Sequence, residues 1–405
     1  MKIGIIGAGA SGMMAAIIAS EGGAQVTLIE KKDRVGKKIL ATGNGKCNFT
    51  NKVVNESDYY SQYKSVHSDY ISQFNQEQVL SFFESRGMLI KERNDYCYPR
   101  SEQAATLLDI LRAGLVKNRV NILTECCPEE IRIKEDGFEV RAGSRTLFFH
   151  RLILACGGFA GEKKAQGLSG YAYAEKLGHS LVPVVPALVQ LKVKDKDFKG
   201  IAGVRTEAAV TLYIENKKKV TEQGELQLTA YGISGIPVFQ LSRHAAYGFR
   251  QKQPVTASID FLPEYSEEEW KAVVLNKWKN MDKKETLEDF FLGFLNKKLN
   301  LLFIREAGLK PQTSIGGCRI EKILQVCLQM KNWEIKLKET NPFEQAQVCA
   351  GGVPLSEVTL SLESRKVKGL YFAGELLDVD GRCGGYNLQW AWTSGYIAGK
   401  AAAEK

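Results

Sequence analysis

Residues 2–30, KIGIIGAGASGMMAAIIASEGGAQVTLIE, decide the fold of this 405-residue chain. Lys2 to Ile6 is a short apolar run that predicts a buried strand, and Met13 to Ser20 predicts a helix built mainly of Ala, Ile and Met. Gln25 to Glu30 predicts the next strand. Two strands and a helix within about 30 residues form one βαβ unit, so we expect a parallel sheet that begins here.

The turn between the first strand and the helix carries glycines at the spacing Gly7-x-Gly9-x-x-Gly12. The first permits a tight turn, the second lets the backbone approach a pyrophosphate, and the third allows close helix packing. The helix N-terminus adds unpaired N–H groups and partial positive charge. Glu30 ends the second strand, where its carboxylate can accept both hydroxyls of an adenosine ribose. The residues predicted to bind a dinucleotide here are Gly7, Gly9, Ala10, Ser11, Gly12, Glu30 and Lys31.

A second anchor is predicted near the other end of the chain, in residues 369–399, GLYFAGELLDVDGRCGGYNLQWAWTSGYIAG. A strand over 370–373 leads to a Gly-Glu pair, and two further glycines precede a helix that begins at about Asn387. FAD is long enough to need two anchors, one for its pyrophosphate and one helix dipole for N1 and O2 of the isoalloxazine. We therefore predict non-covalent FAD, with further contacts from Gly374, Glu375, Asp378, Gly385, Asn387 and Leu388.

The glycine-rich loop TGNGKCNFTN, residues 42–51, follows the ribose acid and can run along the pyrophosphate and ribityl chain. Its predicted FAD contacts are Thr42, Gly43, Gly45, Cys47 and Asn48. Disulfide reductases of the glutathione reductase type place a redox cysteine pair in the corresponding region. Cys47 has no near partner in sequence, so we interpret it as a residue that packs beside FAD rather than one that reacts.

Changes in composition and hydrophobic pattern along the sequence divide the chain into several parts. Residues 1–186 and 346–405 are predicted to form the FAD-binding domain, and residues 187–262 a β-rich insert. Within that insert, EAAVTLYIE and ELQLT are predicted strands joined across a polar, Lys-rich turn. Residues 263–310 predict a helical subdomain, with capping-box starts at Ser266 and Thr286, and residues 311–345 return to the insert. The apolar helical face, interpreted as core packing rather than a lid, comprises Leu287, Phe290, Phe291, Phe294, Leu295, Leu299, Leu302 and Phe303.

Seven motifs spread over nearly the whole chain carry a family resemblance: GAGASG, TGNGKCNFTN, ACGGFAG, GELQLTAYGISG, AGGVPLSEV, SLESRKVKGLYFAGELLDVDG and GGYNLQWAWTSG. The chain resembles the bacterial family of NAD(P)/FAD-dependent flavoprotein oxidoreductases that includes dehydro-bile-acid reductase and aminoacetone-oxidase-like members, within the glutathione reductase superfamily. The resemblance implies an α/β fold: a glutathione-reductase-type FAD-binding Rossmann domain built from both chain ends, an inserted β-barrel-like domain and a small helical subdomain.

Two departures from the family pattern affect the substrate side. Members commonly carry a His where this chain has Ala230, so a proton-transfer role for that His has no counterpart here. The segment FAGEKKAQGLSGY, residues 159–171, also lacks the Pro and Thr-Gly pattern that is usual after ACGG.

These features favour an FAD-dependent reductase in which hydride passes through flavin N5 to a small enone or steroid-like acceptor. No second GxGxxG occurs between Leu152 and Ala346, so we expect either that NAD(P)H visits the flavin transiently or that another donor reduces it. Arg382 and Tyr386 are the predicted catalytic residues, and the DYCYPRS segment, residues 95–101, is a further candidate to border the flavin. An oxidase of amines or aminoketones, and a flavin-binding sensor or nucleic-acid-associated protein, remain as alternatives.

The composition of the chain indicates which classes of partner and which cellular location to expect. The formal net charge is +9, but the basic runs are short and scattered, which favours a solvated surface over a nucleic-acid site. No run approaches the roughly 20 apolar residues of a membrane span, and glycines interrupt the apolar N-terminus, so we expect a soluble protein without an export signal. The nine cysteines form no CxxC pair, so we expect reduced cytoplasmic thiols and no metal site. The oligomeric state is left open.

Overall fold

The structure is a computed structural model that describes residues 1–162, 169–194 and 198–404. Part of residues 159–171, the segment after ACGG that differs from the family pattern, lies outside the described residues. The strands are β1 (Lys2–Ile6), β2 (Gln25–Ile29), β3 (Thr50–Asn51), β4 (Tyr59–Tyr60), β5 (Ile90–Arg93), β6 (Tyr96–Pro99), β7 (Asn121–Leu123), β8 (Glu130–Lys134), β9 (Gly137–Ala142), β10 (Arg145–Phe149), β11 (Arg151–Leu154), β12 (Val182–Ala187), β13 (Leu191–Lys194), β14 (Arg205–Ile214), β15 (Lys217–Thr229), β16 (Gly232–Gly235), β17 (Val255–Asp260), β18 (Trp333–Thr340), β19 (Val348–Gly352), β20 (Leu370–Phe372) and β21 (Asp380–Gly381). The helices are α1 (Ala10–Glu21), α2 (Lys37–Leu40), α3 (Val66–Asp69), α4 (Gln76–Glu84), α5 (Ala104–Lys117), α6 (Gly170–Lys176), α7 (Ile236–Arg250), α8 (Glu267–Asn280), α9 (Leu287–Phe291), α10 (Lys297–Glu306), α11 (Ile320–Lys331) and α12 (Tyr386–Ala403).

The chain forms two compact units, of which the first comprises Met1–Val185 and Gln347–Lys405. Its central sheet is parallel, with the strand order β20-β11-β1-β2-β7. The apolar residues of β1 and β11 are fully or nearly fully buried, as expected for strands covered on both faces. β11 pairs with β1 on one side and with β20 on the other, so both chain ends build one sheet, which confirms that part of the predicted fold.

Helices α1 and α12 pack closely against each other in this unit. A Cβ at Gly399 of α12 would lie 2.6 Å from the carbonyl oxygen of Ala15 in α1, so this close approach requires a glycine. α1 begins at Ala10, three residues before the predicted start, because the glycine-rich turn itself supplies the first helical turn. The antiparallel sheet β10-β9-β8 was not anticipated, since its strands mix charged residues into a weak alternating pattern.

The second unit comprises Pro186–Ala346 and contains a closed barrel with the strand order β13-β16-β15-β14-β17-β18. This confirms the predicted barrel-like insert. The inward-facing residues are apolar and buried, for example Val210, Leu212 and Ile214 of β14, and they alternate with partly exposed residues. The Lys-rich turn between β14 and β15 was predicted wrongly. The turn is only Glu215–Asn216, both at positive φ, and the lysines that follow already belong to β15.

The helices of the second unit begin where the capping boxes indicate. Glu269 N donates to Ser266 Oγ at 3.2 Å, while Ser266 N donates to the Glu269 carboxylate at 2.7 Å, and Thr286 with Asp289 repeats the pattern. Five residues of the predicted apolar face are fully buried, so that face is largely core: Leu287, Phe290, Phe291, Leu299 and Phe303. Helix α7 was missed, although Pro237 in its first turn is a typical start signal.

Candidate functional site

The turn between β1 and α1 contains glycines with two different functions. Gly7 has φ +104°, and a Cβ there would overlap the carbonyl oxygen of Ala155, while a Cβ at Gly12 would overlap the carbonyl oxygen of Gly7. Both positions therefore require glycine for the fold itself. A Cβ at Gly9 would meet no protein atom within 4 Å. The open space at Gly9, in front of the α1 N-terminus, is where a pyrophosphate fits.

Glu30 braces the same turn from the end of β2. Its Oε2 accepts a hydrogen bond from Ala8 N at 2.9 Å, and its Oε1 accepts one from Lys32 N at 2.9 Å. A carboxylate oxygen has two lone pairs, so each keeps one for a ribose hydroxyl. Lys31 lies beside Glu30, and its ammonium pairs with Glu162 at 2.9 Å. Its predicted contact with FAD therefore competes with an ion pair inside the protein.

We expect Glu30→Ala to weaken FAD binding by about ten- to a hundredfold, because it removes charged hydrogen bonds of about 1.5 to 3 kcal/mol. Titration of the apoprotein with FAD, followed by flavin fluorescence, measures the change. The NAD(P)H concentration dependence of FAD-saturated enzyme should stay nearly unchanged. A large rise in the half-saturating NAD(P)H concentration at constant FAD occupancy would instead place the nicotinamide nucleotide at Glu30.

The second predicted anchor lies at the end of β20. Gly374 N donates to Ser394 Oγ of α12 at 2.9 Å, and its carbonyl oxygen accepts from Trp390 Nε1 at 3.1 Å. Gly374 has φ +74°, and a Cβ there would overlap Ser11 Oγ of α1. Ser11 is 6% exposed, so it helps to join the two anchors. Ala10, the first residue of α1, is partly buried beside it.

Glu375 connects this anchor to α2. Its carboxylate pairs with Lys38 Nζ at 2.7 Å and accepts a hydrogen bond from Cys349 N at 2.7 Å. A Cβ at Gly158, after β11, would lie 3.0 Å from Glu375 Oε1. Lys38 and the glycine pair after β11 were absent from the predicted site. The glycine pair that directly follows a buried strand was the available signal, whereas nothing local marked Lys38.

Two other predicted FAD residues hold loops of the protein itself. Asp378 is 1% exposed and accepts hydrogen bonds from Gln62 N at 2.9 Å and from Ser61 Oγ at 3.4 Å. Asn387 pairs with both the N–H and the carbonyl oxygen of Gly381 at 2.8 Å. These bonds shape the loop before α12, and a direct contact of either residue with FAD stays a prediction.

The start of α12 provides a second test of whether FAD fits. Gly385 caps the helix at φ +95°, and a Cβ there would lie 2.8 Å from Asn48 Oδ1. Asn48 Oδ1 is buried and has no hydrogen-bond partner among the described residues. An orphaned buried acceptor calls for an external donor, and FAD offers hydroxyl and N–H groups. Leu388, the third residue of α12, packs against the core of the unit. The open space at Gly9 and the free acceptor of Asn48 both fit bound FAD.

The loop of residues 42–51 is tied to α12. Trp392 Nε1 donates to Phe49 O at 2.9 Å, and Thr50 Oγ1 donates to Gln389 Oε1 at 2.6 Å. Thr42, Gly43 and Gly45 form a short 3-10 turn, and a Cβ at Gly45 would meet no atom within 4 Å. The backbone of this turn is therefore open on one side, as a loop along a ligand requires.

Cys47 is fully buried within this loop. Burial raises the pKa of its thiol to about 11, although a hydrogen bond with Thr42 acts in the opposite direction. The thiolate is the reactive form of cysteine, so at neutral pH Cys47 is nearly all unreactive thiol.

We expect Cys47→Ser to keep most of the NAD(P)H-dependent turnover, because the side chain packs and does not carry electrons. FAD retention can fall modestly, since a hydroxyl replaces a buried sulfur. Steady-state rates and the ratio of flavin to protein absorbance measure the two effects separately. Loss of all turnover with FAD still fully bound would contradict the packing role.

Tyrosine side chains gather around the loop before α12. A Cβ at Gly384 would lie 2.8 Å from the ring of Tyr96 and 3.1 Å from that of Tyr386. The ring of Tyr59 meets Tyr386 edge to face at a centroid distance of 6.2 Å. Burial raises the pKa of Tyr386 to about 12. Arg382 lies in the same loop, where its N–H donates to Asp58 O at 2.9 Å.

Other residues of the candidate DYCYPRS segment lie on or after β6. Burial raises the pKa of Tyr98. Arg100 is exposed in the turn that follows the strand, and its N–H donates to Leu89 O at 2.7 Å. These contacts give no residue of the DYCYPRS segment a catalytic role. The catalytic roles predicted for Arg382 and Tyr386 stay predictions.

A buried histidine, to which the sequence assigned no role, supports β20. His179 is fully buried, with Nδ1 2.8 Å from Glu357 Oε2 and Nε2 2.9 Å from Ser364 Oγ. Its ring contacts Phe372 of β20 at a centroid distance of 4.7 Å. The network thus holds the segment that leads to the second anchor. Its members are far apart in the sequence, so no local pattern predicts it.

We expect the protein to lose stability as the pH falls from about 7 to about 5. Burial lowers the pKa of His179 more than Glu357 raises it, so the net pKa in the folded protein is below the usual value. As the pH falls, the His179 side chain is therefore protonated in the unfolded chain before it is protonated in the folded protein. Stability from this group is present above the unfolded pKa of about 6.5 and is lost below it. Melting temperatures across this range measure the effect. His179→Asn should melt lower at every pH but with a smaller pH dependence, and equal slopes would contradict the assignment.

Two further properties concern residues 1–162, 169–194 and 198–404. Within these ranges, no three His, Cys, Asp or Glu side chains come together as metal ligands. No helix of the described chain has the length and apolar character needed to cross a membrane.

Comparisons with known proteins agree with this geometry. The family model described as the HI0933-like protein Rossmann domain matches residues 1–401. The 3-dehydro-bile acid delta(4,6)-reductase of Clostridium scindens is 44% identical over 100% of this chain and 99% of its own length. The ribosomal RNA dihydrouridine synthases of Escherichia coli and Haemophilus influenzae are each 29% identical to this chain. The alignments cover 97% of this chain and, respectively, 95% and 96% of the two synthases. The chain thus belongs to the HI0933-like family of Rossmann-domain proteins and is an FAD-dependent oxidoreductase.

Proposed function

We propose that the protein reduces a carbon–carbon double bond conjugated to a carbonyl in a small, steroid-like acceptor, with NAD(P)H as the visiting electron donor. The observation that carries this proposal is the 44% identity, over the full length of both chains, to a 3-dehydro-bile acid delta(4,6)-reductase. That name describes a 3-oxo compound with double bonds at positions 4 and 6, which are conjugated to the oxo group.

The residues of the site can support such a reduction. FAD, when bound, supplies hydride transfer at N5 of its isoalloxazine. The first turn of α12 contains no acidic residue, so its N-terminus favours negative charge on a ligand. Tyr386, with a pKa of about 12, keeps its proton at neutral pH. Its hydroxyl can hydrogen-bond a substrate carbonyl or deliver a proton to the carbon next to it.

A second acceptor, the uracil ring of an RNA, is favoured by a separate observation. The two dihydrouridine synthases match 97% of this chain at 29% identity. Uracil has a double bond between C5 and C6 conjugated to the C4 carbonyl, so its reduction is the same type of reaction. The lower identity places this candidate second.

The visiting role of NAD(P)H is supported by the single GxGxxG turn of the chain. Its open glycine and its ribose acid, Glu30, suit FAD. The sequence between Leu152 and Ala346 has no second fingerprint that would hold a nicotinamide nucleotide in a domain of its own.

Anaerobic stopped-flow spectroscopy tests the proposal. The FAD-loaded protein is first reduced with NADH or NADPH and then mixed with a 3-oxo-Δ4 steroid, a 3-oxo-Δ4,6 steroid, a uridine-containing RNA or oxygen. Fast reoxidation by a steroid, with the saturated product identified by mass spectrometry, supports the proposal. Fast reoxidation by the RNA alone selects the second candidate. Reduction of the flavin by amines without NAD(P)H, with peroxide formed in air, overturns both the steroid and the RNA candidates in favour of an oxidase.

A further inference from the structure

The outer wall of the barrel carries a row of side chains that comes from five strands. The strand register pairs Lys194 of β13 with Lys336 of β18, and Lys336 with Thr256 of β17. Thr256 is paired with Tyr213 of β14, and Tyr213 with Lys218 of β15. We name these five residues the Lys–Tyr row. It crosses four strand spacings of about 4.8 Å, or roughly 19 Å.

The Lys–Tyr row faces outward because its neighbours along each strand fill the barrel. Leu212 and Ile214 flank Tyr213, and Ile335 and Leu337 flank Lys336, and all four are buried. The three lysines of the row are exposed, and Tyr213 and Thr256 are partly exposed. The aromatic ring of Tyr213 thus lies on the same surface as three ammonium groups.

The lysines of the row carry like charges that repel one another. Lys194 and Lys336 lie directly opposite on antiparallel strands, an arrangement that destabilises a sheet. No ion pair joins any of the three lysines to a carboxylate among the described residues. Among the described residues, the acidic ones near the row are Glu334, two residues before Lys336 and opposite Ser258, Glu339, which pairs with Lys192 at 3.1 Å, and Glu215 in the β14–β15 turn. In the sequence, Asp195 and Asp197 closely follow Lys194 and lie outside the described residues. An anion bound along the row would offset this repulsion.

We propose that the Lys–Tyr row binds single-stranded nucleic acid, with phosphates on the lysines and a base stacked on Tyr213. Lysines that track a backbone beside an aromatic platform are the common design of such sites. An acidic peptide or an anionic membrane would attract the lysines by charge, but only a nucleic acid supplies both phosphates for the lysines and flat bases that stack on Tyr213. The proposal does not depend on which acceptor the flavin reduces.

Fluorescence anisotropy with the full-length, FAD-loaded protein tests this binding. The probes are a labelled 20-nucleotide uridine RNA and the matching thymidine DNA, titrated over a series of KCl concentrations. The triple variant K194A/K218A/K336A should bind at least tenfold more weakly at about 50 mM KCl. Its slope of log affinity against log salt should fall by about 2, since each phosphate contact on a single strand contributes about 0.7. Comparison of the two probes shows whether the 2′-hydroxyl matters.

The matched control is K279A/K284A/K310A, which removes the same charge from exposed lysines on the helical part of the same unit. It should bind within about twofold of the wild type. Y213A should weaken binding about tenfold at unchanged salt slope, because a stacked base is lost but no phosphate contact. Circular dichroism melts and NAD(P)H-dependent flavin reduction should be unchanged in the row variants, which separates this site from the flavin chemistry.

Three outcomes would overturn the proposal. The first is no binding of either probe by the wild type at about 50 mM KCl. The second is an equal loss in the control variant, which would show a general effect of net charge. The third is binding to phosphatidylserine vesicles that depends on the row while nucleic-acid binding does not, which would identify a membrane contact.

Discussion

Gly9→Ala and Gly12→Ala should both yield protein that lacks FAD, for different reasons. At Gly9 the backbone has φ −80°, and a Cβ would enter the open space in front of α1, so the protein should fold normally. The added methyl then takes the place of the pyrophosphate. At Gly12 the Cβ would overlap the carbonyl oxygen of Gly7, so the helix must shift, at about 1–3 kcal/mol or more.

Two measurements distinguish these variants. We expect FAD affinity to fall about a hundredfold or more in both, measured by fluorescence titration of the apoproteins. The unfolding free energy of the apoprotein should match the wild type for Gly9→Ala and should be clearly lower for Gly12→Ala. Gly23→Ala is a control for glycine replacement, since a Cβ at Gly23 also meets no atom within 4 Å, although its φ of +86° adds some strain. Normal FAD binding by Gly9→Ala would show that the pyrophosphate does not lie there.

The second large effect is expected for Tyr386→Phe. If the Tyr386 hydroxyl donates the proton that accompanies hydride transfer to the acceptor, its removal should slow reoxidation by an enone about a hundredfold, within the usual range for a general acid. Reduction of the flavin by NAD(P)H involves no such proton and should keep its rate. Stopped-flow measurement of the two half-reactions separates these effects.

Tyr396→Phe provides the matched control for this variant. Tyr396 lies ten residues further along α12, or about 15 Å, and its ring stacks on Phe74 at 4.2 Å. It should keep both rates. An unchanged reoxidation rate in Tyr386→Phe would assign that tyrosine to the loop structure, where its carbonyl oxygen already accepts a hydrogen bond from Tyr59 at 3.3 Å.

The sequence by itself determined the local elements of this protein. The strand–turn–helix around Gly7 and Gly12, the acid at Glu30 and the capped helices at Ser266 and Thr286 all follow from short-range rules. These rules are steric limits on φ and ψ, the unpaired N–H groups of a helix start, and the periodicity of buried side chains. Each depends on neighbours within a few residues, so each can be read from a single chain.

Only the tertiary structure decided which distant residues meet. Glu375 pairs with Lys38 across 337 positions, and Asn387 hydrogen-bonds to its own loop, contacts that no local pattern indicates. The FAD contacts that the motifs predict for Glu375 and Asn387 stay predictions. The lysines of the Lys–Tyr row are scattered over more than a hundred residues, and their separate runs favoured an ordinary solvated surface. They form one row because the barrel sets the strand register, and register depends on how every strand closes on its neighbours rather than on any local pattern.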